Sequence, residues 1–534
     1  MDSANAARPP QGQVSGESGR AAGKKKKSQR RKLYDLHTWV GFHLTFIMTV
    51  VLFTGTIATL SNEIDWLLQH DMRVTPGEQQ VSWGEMESAI QNYAPDRNII
   101  SITEMGSDYF AYRARVVDVL GNQSFVHVNQ WTGEVTGETH TFTVQRFFRD
   151  LHRYLFMPNF LGLPIVGSMA IILAISLYTG LKTARNWGTL MTRIRTDKGR
   201  RILWGDAHKA AGLWSIWFFA VIIITGVWYL VEFGYGVAGE RLALDQPGIT
   251  AERVEQIGPI IRDRPLDDVV AAAQAAFPEQ KISSINYPGS ATGVFTVQGY
   301  RVNPLLRERA NRVFLDPVDL SVVKVQKDND IAAMSYTNEM ADPLHFGTFG
   351  GLTTKLIWFV FGVFMTGLSV TGVWLTWRRL KSRAVTKAQF ATMPVLLIAG
   401  LFFVGYANRF IAAEKPENEQ FLAQKQLDSG TDIAIGISED GDGRADGQYR
   451  ILLSTNGRPN LKEVTLCADA HCETSAAGRL RQTMSISMNI APSYAAKADS
   501  VSAILTYNDG QQESATWQLP APTEMASSLK TNTN

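Results

Sequence analysis

Five apolar stretches of about twenty residues, each long enough to cross a hydrocarbon core of roughly 30 Å, interrupt a chain that is otherwise polar. They lie in 33–60, 146–181, 205–230, 339–377 and 391–410, the second and fourth each led by an interfacial segment. The polar intervals carry patterns of their own. Val81 to Pro95 reads as a short helix, with Trp83, Met86, Ala89, Ile90 and Tyr93 at helical spacing. Strand-like runs follow at 99–104, 109–118 and 124–130, the last closed by the turn Trp131-Thr132-Gly133. Segment 265–325 repeats that order: a helix from Leu266 to Phe277, strands at 282–287, 293–299 and 311–315, and a turn near Asp316-Pro317. Segment 431–520 alternates strand and turn, with runs at 449–454, 463–467, 482–490, 501–507 and 514–519. The expected fold is a mainly α membrane protein. It has a bundle of five transmembrane spans, two repeated α+β modules at 61–145 and 231–338, and a β-sandwich at 411–534.

Charge gives the bundle an orientation. The tail, 1–32, holds Lys24 to Lys27, Arg30, Arg31 and Lys32 and lacks hydrophobic periodicity, so disorder is expected there. The linker 182–204 carries Lys182, Arg185, Arg193, Arg195, Lys198, Arg200 and Arg201 against one acid, Asp197. The linker 378–390 carries Arg378, Arg379, Lys381, Arg383 and Lys387 and no acid. Alternate loops are thus basic, which places them and the N-terminus inside and both modules and the C-terminal domain outside, in a bacterium the periplasm. The first span is too long for a signal-peptide core and reads as a retained anchor. The whole-chain figures, 45% hydrophobic, 19% charged and a net charge of +2, average this contrast away and point to no nucleic-acid partner.

The spans repeat. His37-x-x-x-Gly41 is followed by Thr54-Gly55, and His208-x-x-x-Gly212 by Thr225-Gly226; in both, the second glycine comes 18 residues after the histidine. Leu151-His152 precedes Thr179-Gly180 and Leu344-His345 precedes Thr371-Gly372, with His-to-Gly separations of 28 and 27. The glycines either let membrane helices pack closely or make room for a flat cofactor.

Nine histidines are few for 534 residues. Two of the four repeat-matched ones, His37 and His208, begin spans on the inner side; His152 and His345 precede spans on the outer side. Polar groups at a bilayer are costly and mark a function or a satisfied pair. Two imidazoles at each level suit two bis-histidine haems stacked across the membrane, whereas zinc wants three or four ligands at one level. The plainer alternative is interfacial histidines contacting headgroups or carbonyls. His43 lies six residues from His37, about 120° round the helix, and lacks a counterpart at Trp214; it ranks second, as an alternative ligand or a propionate partner. His70, His127, His140 and His471 are expected at the surface of the outer domains.

Other signals are weaker. Two cysteines exclude a disulfide-rich scaffold and an all-cysteine metal cluster. Cys467-x₄-Cys472 reads as a disulfide in an oxidising compartment, with a redox-active pair as the sharper alternative lacking Cys-x-x-Cys spacing. Asp440, Asp442 and Asp446 lack the closing glutamate of a calcium loop. Neither a Walker loop nor a dinucleotide fingerprint occurs, so an electron donor would dock from inside or be a quinol. The basic linkers either attract an acidic flavoprotein or only fix topology. Trp39, Trp204, Trp214, Trp217 and Trp358 line a route or serve belt and packing roles.

With its Leu-His, His-x-x-x-Gly and Thr-Gly pattern, and an outer module ending in a strand, a turn and Thr132-Gly133-Glu134, the sequence resembles the PepSY-associated transmembrane family over roughly 31–385. That resemblance implies a di-haem, ferric-siderophore-reductase-like protein of the bacterial inner membrane. It implies two b-type haems, held by His37 with His208 inside and His152 with His345 outside. Its implied partners are a ferric siderophore or other periplasmic iron chelate, and a flavoprotein (NADPH-derived) or quinol donor. The rival expectation is a non-enzymatic regulatory protein whose modules bind a peptide or peptidase while the spans anchor them.

Overall fold

The computed structural model describes residues 28–380 and, in stretches, 419–518, apart from short interior runs; for much of the second part only the backbone is described. Most of the tail and the fifth span at 391–410 lie outside the described residues.

Helix α1 (Gln29–His43) starts within the segment read as tail, its first turn capped by the Ser28 hydroxyl, which accepts from the Arg31 amide. The first span is not one rod. It breaks at Leu44, resumes as α2 (Thr45–Thr59), and breaks again at Leu60, where α3 (Ser61–Leu68) leaves at about 59°. Helix α4 (Trp83–Tyr93) opens on a capping box in which Ser82 and Glu85 each accept the other's amide. Strands β1 (Asn98–Thr103), β2 (Tyr112–Val117), β3 (Gln123–Val128) and β4 (Val135–His140) follow. Helix α5 (Val144–Tyr154) has its leading amides taken by Thr143 Oγ1 and by the buried Asp65 carboxylate, 2.8 Å from Val144 N and 2.9 Å from Gln145 N. Leu155 in the left-handed conformation ends it and turns the chain into α6 (Asn159–Thr183).

After α7 (Trp187–Thr192), the third span is also broken: α8 (Arg200–Trp214) and α9 (Ile216–Val237) meet at Ser215. Leu44 and Ser215 each lie seven residues past the histidine of their own helix, so the interruption repeats with the motif. The short strand β5 (Ile260–Ile261), α10 (Leu266–Ala276) and strands β6 (Lys281–Asn286), β7 (Phe295–Tyr300), β8 (Asn311–Leu315) and β9 (Val322–Gln326) come next. Helix α11 (Ala333–Phe346) ends at Gly347, φ 70°, and the chain re-enters the bundle as α12 (Gly351–Leu380). Gly347 is needed there twice over: a Cβ would lie 2.6 Å from the Trp358 ring, and the backbone is left-handed. Three helical segments, 159–183, 216–237 and 348–378, are long and apolar enough to cross a membrane, and the bent α2–α3 pair makes a fourth if counted as one span.

The two modules, read as separate in the sequence, share a single eight-stranded antiparallel sheet ordered β4-β3-β2-β1-β6-β7-β8-β9. Its centre is the β1–β6 pairing, where Ile102 lies opposite Ile285. Helices α4 and α10 cover one face with a common core of Met86, Ile90, Ile102, Leu266, Phe277 and Ile285. Burying each such side chain contributes about 1.5–3 kcal/mol, which joins the halves energetically as well as by hydrogen bonds. The outermost strands were missed in the sequence, β4 because Val135-Thr136-Gly137-Glu138-Thr139-His140 is polar without apolar alternation.

His127 is not at the surface as expected: it is 1% exposed on β3, with Nε2 2.9 Å from Thr139 Oγ1. Burial, and secondarily the charge of Arg113, pushes its pKa down to about 4. The folded protein therefore holds the neutral ring. That preference stabilises the sheet fully above the unfolded value near 6.5 and is lost as pH falls toward 4, an effect on the order of 3 kcal/mol. Hydrogen exchange of β3 amides should accelerate over that window, and His127→Gln should flatten the dependence; equal slopes would exclude His127 as the cause. His70 and His140 are exposed, and the His471 side chain lies outside the described residues.

The C-terminal strands are β10 (Glu419–Gln426), β11 (Thr431–Asp440), β12 (Arg444–Thr455), β13 (Gly457–Arg458), β14 (Leu461–Ala468), β15 (His471–Ala476), β16 (Thr483–Asn489), β17 (Ser500–Tyr507) and β18 (Gln512–Gln518). They form two four-stranded sheets, β10-β11-β12-β16 and β15-β14-β17-β18, while β13 pairs with β5. A disulfide joins Cys467 and Cys472 directly across β14 and β15.

Candidate functional site: two pairs of histidines

Each of the four repeat-matched histidines sits on a helix and has Nδ1 within hydrogen-bond distance of an oxygen on a neighbouring helix. His37 on α1 has Nδ1 3.1 Å from both the Ser176 carbonyl and Thr179 Oγ1 of α6. His152, in the last turn of α5, has Nδ1 2.8 Å from the Val51 carbonyl of α2. His208 on α8 has Nδ1 2.9 Å from Thr371 Oγ1 of α12. His345, in the last turn of α11, has Nδ1 2.8 Å from Thr225 Oγ1 of α9.

These contacts fit one tautomer. A carbonyl only accepts, so His37 and His152 donate from Nδ1. The hydroxyls of Thr179, Thr225 and Thr371 donate to the carbonyls of Ile175, Val221 and Gly367 at 2.7, 2.8 and 2.7 Å, which leaves their oxygens to accept from the histidines. All four imidazoles thus carry the proton on Nδ1 and keep the Nε2 lone pair free of any hydrogen bond among the described residues. An oriented imidazole whose far nitrogen donates to an acceptor is the state in which histidine ligates a metal.

Three of the four motif glycines lie against these rings. A Cβ on Gly55 would lie 2.6 Å from His152 Cε1; on Gly180 it would lie 3.5 Å from His37 Cε1, and on Gly372 3.5 Å from His208 Cε1. Gly226 instead faces Ala170, where a Cβ would approach to 2.8 Å. Gly55 thus makes space for an imidazole and Gly226 for a neighbouring helix, while Gly180 and Gly372 lie at ordinary contact distance from theirs. The Thr-Gly pair of each span serves the histidine of its sequence neighbour, reciprocally within each repeat.

Between the repeats the rings meet. His37 and His208 line one cavity of about 600 Å³ among α1, α6, α8 and α12, with Met48, Leu173 and Phe219 as apolar walls and Gly212 on its surface. Arg195, Asp206 and Lys209 also line it; Asp206, 3% exposed, takes both Nε and Nη2 of Arg195 at 2.8 and 2.9 Å. His152 and His345 face each other with ring centroids 6.1 Å apart and planes at 39°. Two imidazole nitrogens about 2 Å from one metal, on opposite sides, put the ring centres on the order of 6 Å apart. The residues present offer two imidazole donors at each level, and at the first a largely apolar cavity in which a haem would find room. Among the described residues no three histidine, cysteine or acidic side chains are grouped to hold a metal ion, so a zinc-type site finds no support there. The His43 side chain lies outside the described residues.

Sequence reasoning missed what stands behind His345. Tyr229 packs edge-on against its ring, centroids 5.2 Å apart, and donates to Asp342 at 2.7 Å. Asp342 pairs with Arg307, and Arg307 and Arg309 converge on the fully buried Glu339 at 2.8 and 2.9 Å. This ionic cluster ties the sheet to α11. Its members are scattered over more than a hundred residues, and only the histidine had a counterpart in the repeat. Of the five tryptophans, Trp217 and Trp358 join Phe218 and Phe361 in one aromatic cluster, and Trp358 donates to the Leu344 carbonyl beside His345 at 2.9 Å. Trp39, Trp204 and Trp214 are exposed.

The apolar helices, the repeated motif and the sheet carried on two of the helix pairs define a multi-pass membrane protein. No curated protein matches the chain. It belongs to the family described as PepSY-associated TM region, whose model matches residues 34–379 and so takes in all four histidines, all four Thr-Gly pairs and the whole eight-stranded sheet.

Proposed function

We propose that the protein is an oxidoreductase of the bacterial inner membrane that passes electrons outward through two b-type haems to a periplasmic ferric chelate, a siderophore being the leading case. The observation that carries this reading is the shared hydrogen-bond state of His37, His152, His208 and His345, with Nδ1 donating and Nε2 free. Bound haem supplies a one-electron couple whose potential depends on its axial ligands and their surroundings. The chain orients the imidazoles, raises their basicity through the Nδ1 acceptors, and gives the cavity between His37 and His208 apolar walls in Met48, Leu173 and Phe219. Trp217, Phe218, Trp358 and Phe361 fill the region between that cavity's wall and the Leu344–His345 segment with aromatic rings. A quinol or a cytoplasmic flavoprotein, oxidised by one electron per ferric ion, is the donor class; reduction to Fe(II) weakens binding by hard oxygen donors and frees the metal.

The test is haem content. Protein purified from haem-replete cells should give a b-type spectrum that changes on dithionite reduction, and pyridine haemochrome should return about two haems per chain. Colourless protein would overturn the proposal.

A further inference from the structure

The two halves of the sheet treat their arginines differently. In the β6–β9 half, Arg307 and Arg309 are matched by Glu339 and Asp342, and Arg312 Nε donates to the Arg309 carbonyl at 2.6 Å. In the β1–β4 half, Arg113 and Arg115 project from β2 on the face opposite Tyr112, Ala114 and Val116, which belong to the helix-covered core. Neither makes a hydrogen bond or ion pair among the described residues. Both lie over the same ring, that of Phe125 on β3, at 4.4 and 5.8 Å from its centroid.

The nearby acids make their direct bonds to other groups. Asp65, which acts on Arg113 from α3, accepts the Val144 and Gln145 amides at 2.8 and 2.9 Å. Asp150 on α5 pairs with Arg146 at 2.5 Å. Burial, reinforced by Arg115, lowers Arg113 to about 10, so it remains charged at neutral pH. Arg113 is half-buried and Arg115 exposed, which leaves one guanidinium partly desolvated and the other open to solvent. Holding a guanidinium partly out of bulk water beside a second one, with no ion-pair partner for either among the described residues, is unfavourable, and a bound oxyanion would relieve it through charge-assisted, two-pronged hydrogen bonds.

The position also suits a substrate site. Arg146, whose charge acts on Arg115, lies on α5 six residues before His152, about 9 Å along the helix. We propose that Arg113 and Arg115, seated on Phe125, bind the anionic oxygen donors of the ferric chelate, so that the substrate is a carboxylate or catecholate complex rather than a neutral hydroxamate. This rests on the ferric-chelate reading above and adds its charge class.

Binding can be read without electron transfer by using gallium complexes, which mimic the ferric ones but are not reduced. The full chain in zwitterionic nanodiscs is titrated with anionic gallium citrate, an anionic gallium tris-catecholate and a neutral gallium trihydroxamate. The anionic probes should bind with salt-dependent affinity, and Arg113→Gln and Arg115→Gln should each weaken them about tenfold or more, as expected for loss of a charged hydrogen bond. Arg115 is exposed, so its variant should fold normally; an unchanged thermal transition and haem spectrum check this. Equal affinity in the variants, or a neutral probe bound as tightly as the anionic ones, overturns the proposal. Loss of chelate binding when phosphatidylglycerol is added to the nanodiscs also overturns it, since the arginines would then be a lipid-headgroup site. Failure of the two readings is distinguishable: a colourless protein that still binds anionic chelate through these arginines loses only the electron-transfer function, and a haem-loaded one with arginine-independent binding loses only this site.

Discussion

Alanine in place of His208 or of His345 is expected to remove about one haem each, leaving the other spectrally intact. The two residues belong to different pairs, one lining a cavity with His37 and one facing His152 at 6.1 Å, so each substitution would take one proposed ligand from one level. The surrounding helices should tolerate the change. Thr371 and Thr225 lose the proton that they accept but keep their own bonds to the Gly367 and Val221 carbonyls at 2.7 and 2.8 Å, so neither hydroxyl is left unpaired. Pyridine haemochrome checks the count, and free imidazole added to the variant should restore part of the lost absorbance by supplying the missing nitrogen. Two haems retained in either variant would refute the ligand assignment. Two lost in both, with an unaltered thermal transition, would mean that the levels are not independent.

Glu339→Gln should be among the most destabilising conservative changes in the protein. Glu339 is 0% exposed and accepts from Arg307 Nε at 2.8 Å, Arg307 Nη2 at 3.2 Å and Arg309 Nε at 2.9 Å. Removing its charge leaves Arg307 with Asp342 and Arg309 with no ion pair among the described residues, and breaking a buried ion cluster in this way costs about 3–5 kcal/mol. Thermal unfolding followed by circular dichroism, at matched detergent and salt, measures it. A transition within a degree of wild type would show that the cluster is solvated and not a structural tie. Because α11 carries both Glu339 and His345, the same variant should broaden the spectrum of the outer haem, while a change at a distant surface acid such as Glu78 should not.

Much of this was readable from residue order because it repeats. His37 and His208, with their Thr-Gly pairs at identical spacing, announce equivalent helices, and residues 266–277 announce α10 to within one residue. What stayed hidden depends on contacts between distant segments. The breaks at Leu44 and Ser215 occur inside largely apolar stretches, where hydropathy does not register a change of backbone direction. The merging of two modules into one sheet rests on β1 pairing with β6, strands more than 170 residues apart that look alike whether they are edges or neighbours. His127 was misplaced because a lone polar residue in a strand does not reveal which face is covered. The threonines were visible as a motif, but their use as acceptors for another span's imidazole required the helices to be placed side by side.

The reciprocal arrangement of threonines and histidines has an implication for how such a bundle can be taken apart. Every imidazole is steadied from within its own repeat, α1 with α6, α5 with α2, α8 with α12 and α11 with α9, yet His152 faces His345 of the other repeat and His37 shares a cavity with His208. A polypeptide comprising one repeat alone would present two correctly aimed side chains and no opposite number for either. It would become competent only by self-association about a two-fold axis, which marks gene duplication of a smaller homodimeric membrane protein as the simplest ancestry that its internal wiring allows.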